Sequence, residues 1–143
     1  MTQSLELIDA DAHVNPPPTF WDNYPVNDAA MTHELHIGPY RGRDPHLWRF
    51  ATGIIANGME LFESSKIAFA TIADYLRAPE AYDPEASWQA AMRDVAGEAD
   101  FEAFALFADN VRSSCLSFDD APIVTQALEA FAFRCDQGDQ AGA

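Results

Sequence analysis

Two stretches of this 143-residue chain hold residue types that could do chemistry. In the first, Asp9, Asp11 and His13 stand close together, two acids and an imidazole, side-chain types that can ligate metals. In the second, Trp21, Asn23 and Asp28 share the run Trp21-Asp22-Asn23-Tyr24-Pro25-Val26-Asn27-Asp28, and Asn57 follows in Gly53-Ile54-Ile55-Ala56-Asn57-Gly58-Met59. A carboxylate and two amides bind neutral hydroxyls as acceptors and donors, and an indole gives a flat apolar wall. The same residues also admit ordinary structural roles: Trp21 and Tyr24 as core aromatics, Asp28 as a helix cap, Asn57 as a turn residue. The remaining histidines, His33, His36 and His46, are scattered among loop-like stretches. Transition-metal sites need three or four convergent ligands, so no metal or other cofactor is expected, and His13 is expected to be structural.

The elements that must position these residues follow from pattern. Leu5 to Ile8 is a short apolar, strand-like start, and Pro16-Pro17-Pro18 then removes three donors, so no central strand or helix passes through them. Thr19 to Arg49 reads as loops with short elements, with Gly38-Pro39-Tyr40-Arg41-Gly42-Arg43-Asp44-Pro45 the plainest turn run. After Gly58 the period becomes helical. Glu60 to Arg77 places Leu61, Ala68, Phe69, Ile72 and Leu76 on one stripe with Phe62, Ile67 and Tyr75 beside it, a wide apolar arc. Asp83-Pro84-Glu85 supplies a cap, a proline at the first helical position and an acid for a second helix that Gly97 stops. Asp100 opens a third, and Asp119-Asp120-Ala121-Pro122 a fourth with Val124, Leu128, Phe131 and Cys135 along one side. Four amphipathic helices with short connections predict an antiparallel bundle over residues 60–136.

Charge narrows the partners. Eight Lys and Arg against 23 Asp and Glu leave −15, so nucleic acid and anionic membrane surfaces are not expected partners. No apolar run approaches the roughly 18 residues that would span a bilayer. The opening residues show no signal-peptide pattern, and a cytoplasmic location is the default expectation. Cys115 and Cys135 are expected to be reduced and packed rather than bridged.

Several ordered motifs carry a resemblance. The Trp21 to Asp28 run, Gly38-Pro39-Tyr40 with Gly42-Arg43-Asp44-Pro45, Gly53 to Met59 and Glu63-Ser64-Ser65-Lys66-Ile67-Ala68 resemble glycoside hydrolase family 84, the β-N-acetylglucosaminidases and protein O-GlcNAcases. The likeness continues through Ala73-Asp74-Tyr75-Leu76, Ala81 to Glu85, Ser87-Trp88 and Asn110 to Ser114, covering residues 20 to 115. It implies a mainly α chain in which an antiparallel helical bundle follows a loop-rich remnant of a (β/α)₈ barrel. Residues 1–58 would be the barrel-derived segment, 59–136 the bundle and 137–143 a flexible tail. A complete barrel takes roughly 250 residues, so only part of one fits here.

The resemblance further implies substrate-assisted cleavage of terminal β-linked N-acetylglucosamine, in which the acetamido oxygen attacks and two adjacent aspartates assist. Trp21 would wall the acetamido pocket, Asn23 would lie near the acetamide, and Asp28 and Asn57 would contact outer hydroxyls. The aspartate pair lies upstream of the tryptophan motif in that family, and Asp119-Asp120 lies downstream of it here. The isolated chain is therefore expected to keep sugar contacts without catalytic residues. The family usually has proline where Gly58 stands, so a looser loop is expected, and the proline block is expected to break the strand that would hold Trp21 and Asn23. A second, shorter resemblance, of Ile8 to Asn15 to the opening strand of metal-dependent amidohydrolases, would make Asp9, Asp11 and His13 a metal site. A third reading is an acidic helical interaction module. Phe62, Ile67 and Tyr75 are the residues expected to be exposed by an absent barrel and to form a homodimer face.

Overall fold

The computed structural model describes residues 16–117 and 121–137. The amidohydrolase-like residues Asp9, Asp11 and His13, the strand-like Leu5 to Ile8 and the pair Asp119-Asp120 lie outside them, as does most of the expected tail. Two strands, β1 (Thr19–Asp22) and β2 (Gly53–Ala56), form a parallel pair in the register Thr19↔Gly53, Phe20↔Ile54, Trp21↔Ile55, Asp22↔Ala56. Four helices follow: α1 (Phe62–Arg77), α2 (Pro84–Ala96), α3 (Phe101–Asp109) and α4 (Pro122–Asp136). The fold is mainly α, and each helix packs on the next. Among the described residues no helix is long and apolar enough to cross a membrane.

β1 starts directly after the proline block, contrary to the expectation of a broken strand. Proline lacks a donor but keeps its acceptor. The Pro18 carbonyl accepts the Thr52 N–H at 3.0 Å and the Pro17 carbonyl accepts the Thr52 hydroxyl at 3.2 Å, so the block docks beside the start of β2. Side chains alternate across the pair. Ile54 and Ala56 pack toward the helices, while Trp21 and Ile55 stand exposed on the opposite face.

Helix boundaries follow local chemistry. The Asp83 carboxylate accepts from the Glu85 and Ala86 N–H groups at 3.0 and 3.1 Å, Pro84 takes the first position, and Gly97 ends α2 at φ +75°. α1 begins at Phe62, two residues later than the expected Glu60; no side chain caps it, and the Leu61 carbonyl accepts the Ser64 N–H at 3.1 Å.

The wide apolar arc of α1 is divided between two cores. Ile67 joins Ile37, Met59, Trp88, Ala91, Met92 and Ala108, while Ala68, Ile72 and Tyr75 join Tyr24 and Tyr40. Both cores draw residues from either side of position 58. Of the three residues expected at an exposed face, Phe62 is 63% exposed, but Ile67 and Tyr75 are 2% and 4%. Tyr24 and Tyr40, from the connection after β1, cover Tyr75, while Ile37 of the same connection and Trp88, Ala91 and Met92 of α2 cover Ile67.

α4 differs in the opposite direction. Val124, Leu128 and Phe131 of its stripe are exposed, and so is Cys135, rather than packed in a fourth helical layer. Asp109 of α3 holds its start instead. The Asp109 carbonyl accepts the Ala121 N–H at 2.8 Å and the carboxylate accepts the Ile123 N–H at 3.0 Å, a favourable placement of negative charge at a helix N-terminus. Cys115 is also exposed and free, so neither cysteine is packed as expected.

Candidate functional site

The C-terminal ends of the two parallel strands bring Trp21, Asn23 and Asn57 together. The Asn57 N–H donates to the Asp22 carbonyl at 2.9 Å, one step beyond the last register pair, so the residues after β1 and β2 leave the sheet side by side. Trp21 is 65% exposed, and its indole N–H donates to the Asn23 side-chain oxygen at 3.0 Å. A core role is thereby excluded for Trp21, whereas Tyr24 is fully buried and is a core aromatic. A concavity of ≈ 280 Å³ lined by Phe20, Trp21, Asp22, Arg43, Leu47 and Ile54 flanks this end of β1.

Asn57 is half-buried and followed by a loop that is pinned rather than loosened by Gly58. The Met59 N–H donates to the Ser65 hydroxyl oxygen at 2.9 Å, and a Cβ at Gly58 would come within 2.8 Å of the Phe69 ring. Glycine is the residue that lets this loop lie against α1.

Asp28 is exposed at the start of a short 3-10 turn, Ala29–Met31, and its side chain caps no N–H of that turn. Ala29 follows at φ +51°, a left-handed conformation that costs an alanine about 1 kcal/mol. The surrounding loop is held by its own polar groups. The Asn27 amide donates to the Glu34 carbonyl at 2.8 Å. His36 is fully buried, with Nδ1 2.8 Å from the Val26 carbonyl and Nε2 2.9 Å from the Glu34 carboxylate. A carbonyl only accepts, so Nδ1 carries a proton. His36 is thus a staple between Val26 and Glu34, while His33 is exposed and His46 sits 3.4 Å from Glu80. Among the described residues no three His, Cys, Asp or Glu side chains converge as a metal site would need.

Beneath the strand ends lies a polar cluster that pattern reading does not reveal. Asp22 alternates away from Trp21 into the helix layer, where its Oδ2 accepts from the Tyr40 hydroxyl at 2.5 Å and from Arg43 Nε and Nη2 at 3.0 and 2.7 Å. Tyr40 in turn receives the Tyr82 hydroxyl on its carbonyl at 2.8 Å and gives its N–H to Thr71 of α1 at 3.1 Å. All four tyrosines form one contiguous chain of rings, Tyr24, Tyr40, Tyr75 and Tyr82, with successive centroids 6.1, 5.4 and 5.7 Å apart. Burial pushes each phenol above its ordinary range, that of Tyr82 to about 12, and the Asp22 carboxylate raises Tyr40 further. Burial draws the Arg43 guanidinium down, but Asp22 and Tyr40 more than offset this and raise it on balance. The residue types were visible in the turn run Gly38 to Pro45; their convergence on one carboxylate depends on the long connection folding back under β1.

Comparison with known proteins identifies the family. Residues 2–109 match the model of the β-N-acetylglucosaminidase family. The structure is similar to a mutant O-GlcNAc hydrolase of Thermobaculum terrenum, at 39% identity and a TM-score of 0.81 over 88% of this chain and 27% of that one. It is also similar to CpGH84B, at 31% identity and a TM-score of 0.71 over 84% of this chain and 21% of that one. The chain thus spans about a quarter of the length of these solved relatives. Matched over most of its length, it belongs to the β-N-acetylglucosaminidase family, glycoside hydrolase family 84.

Proposed function

We propose that this chain carries the sugar-contact edge of a β-N-acetylglucosaminidase and recognises terminal β-linked N-acetylglucosamine. In this reading β1 and β2 are neighbouring strands of a (β/α)₈ barrel, and the helices form an antiparallel bundle behind it. The observation that carries the reading is the Asn57 N–H bond to the Asp22 carbonyl at 2.9 Å. It aligns Trp21, Asn23 and Asn57 at the C-terminal ends of adjacent parallel strands, the face on which barrel enzymes bind substrate. Trp21 would wall the acetamido methyl, Asn23 would bond near the acetamide, and Asp28 and Asn57 would take outer hydroxyls.

Cleavage asks for more than recognition. Substrate-assisted hydrolysis needs one carboxylate to orient the acetamide and a second with a tuned pKa beside the glycosidic oxygen. The adjacent carboxylates of this sequence, Asp119 and Asp120, follow the tryptophan motif, whereas the resemblance implies a pair that precedes it. Asp22, next to Trp21, is engaged by Arg43 and Tyr40 on the far face of the strand. The 143 residues by themselves are therefore proposed to bind the sugar without turning it over.

Calorimetric titration with N-acetylglucosamine tests the binding. Asp28→Ala and Asn57→Ala should each weaken it about tenfold, the effect of losing one hydrogen bond to a neutral hydroxyl. Binding that is absent, or indifferent to both substitutions, refutes the reading. A chromogenic N-acetylglucosaminide should not be hydrolysed; turnover abolished at one aspartate would overturn the division between binding and cleavage.

A further inference from the structure

Asp22 lies between two proposed contact residues in sequence yet faces away from them. We infer that Asp22, gripped by Tyr40 and Arg43, is the positioning residue that sets the sugar-contact edge against the helix layer. The inference rests on the sugar reading of Trp21, Asn23 and Asn57 and adds to it the device that holds them.

Three observations support it. A pair of four-residue strands is marginal alone and needs packing or anchoring on one side. Asp22 supplies the anchor: its carboxylate oxygen receives three hydrogen bonds, and charge-assisted bonds of this kind are the stronger ones. The opposite pole of the same residue, its carbonyl, accepts the Asn57 N–H at 2.9 Å and so sets the separation of Asn23 from Asn57. Finally, the grip continues into rigid structure, because Tyr40 is tied to Thr71 in α1 and to Tyr82 before α2. A side chain turned away from Trp21 and engaged by Tyr40 and Arg43, at the rim of the concavity that Trp21 also lines, thus governs the height of Trp21 and the register of both asparagines.

The chain contains three tryptophans, whose indole N–H signals in a ¹⁵N-resolved NMR spectrum report three places in the fold. Trp21 reports the edge through its bond to Asn23, and Trp88, bonded to the Ile37 carbonyl at 2.6 Å inside the helix layer, reports the fold. Asp22→Asn keeps the size of the side chain and removes its charge. The expected result is a displaced Trp21 signal, an unmoved Trp88 signal and affinity for N-acetylglucosamine lower by about tenfold, since small displacements of positioned groups are costly. Tyr40→Phe, which keeps the ring and removes one donor, should act in the same direction and serves if the first variant fails to fold. Trp21 unmoved in a folded variant, or Trp21 and Trp88 displaced together, would overturn the inference. If the unsubstituted chain binds no N-acetylglucosamine while Trp21 still moves, the sugar reading falls and the positioning by Asp22 stands.

Discussion

Among the described residues, replacing Gly38 with alanine should destabilise this fold more than any other glycine substitution, and the structure gives the size. A Cβ built at Gly38 lies 2.3 Å from the Arg112 carbonyl oxygen, which is backbone and cannot rotate away. The segment it interrupts is well used: the Ile37 carbonyl accepts the Trp88 indole N–H at 2.6 Å and the Gly38 carbonyl accepts the Tyr24 hydroxyl. Overpacking against backbone costs about 3 kcal/mol, which for a chain of this length lowers Tm by about 10 °C. Two neighbours calibrate the effect. At Gly58 the contact is the tip of the Phe69 ring at 2.8 Å, so the alanine variant should lose only about 1 kcal/mol as the ring shifts. At Gly53 no atom lies within 4 Å, and alanine should be neutral or gain about 0.5 kcal/mol through reduced backbone entropy in the strand. Thermal unfolding of the three variants by circular dichroism tests the order. A Gly38→Ala variant that melts with the unsubstituted chain would show that the Ile37 to Tyr40 segment does not lie against Arg112.

Further outcomes follow from the same contacts. Because burial raises all four phenols, the native protein should show clearly less tyrosinate absorbance at pH 10 than the urea-unfolded chain, which should be about half ionised there. The unfolded state loses these protons first, so stability should fall as pH rises above about 10, with Tyr82 titrating natively near 12. Native ionisation at pH 10 equal to that of the unfolded chain would contradict the ring cluster. Asp83→Ala removes the acceptor for two N–H groups at the start of α2 and should cost about 1 kcal/mol, read as a lower urea midpoint. Leu128→Gln on the exposed side of α4 should change stability by less than about 0.5 kcal/mol; a larger loss would mean that the α4 stripe is buried after all.

Helix positions were legible in the sequence because caps and periods are local. Asp83, Pro84 and Gly97 delimit α2 through contacts within a few residues of themselves, and no distant part of the chain is needed. Burial was less legible. Ile67 and Tyr75 lie on an apolar arc that could equally face solvent, a missing neighbour or the loop after β1, and only the fold of that loop decides. The prolines hide β1 in the sequence because they lack donors, yet their carbonyls remain available to Thr52. Asp28 and Asn57 were visible as residue types, but the alternatives of cap and turn could be separated at Asp28 only by seeing that its carboxylate caps nothing. The Asp22 cluster joins residues 22, 40, 43, 71 and 82, and no spacing rule connects positions so far apart.

The central claim, a sugar-binding edge at the ends of β1 and β2, is tested most directly by following the three indole N–H signals during titration with N-acetylglucosamine. Trp21 should shift in a saturable manner, with Trp88 unmoved as a core reference. Trp48 should also stay in place, because it lines a different concavity of ≈ 210 Å³ with Leu76 and Pro79 toward the start of β2. A saturable shift confined to Trp48, or a Trp21 signal that does not move at any sugar concentration, would contradict the account.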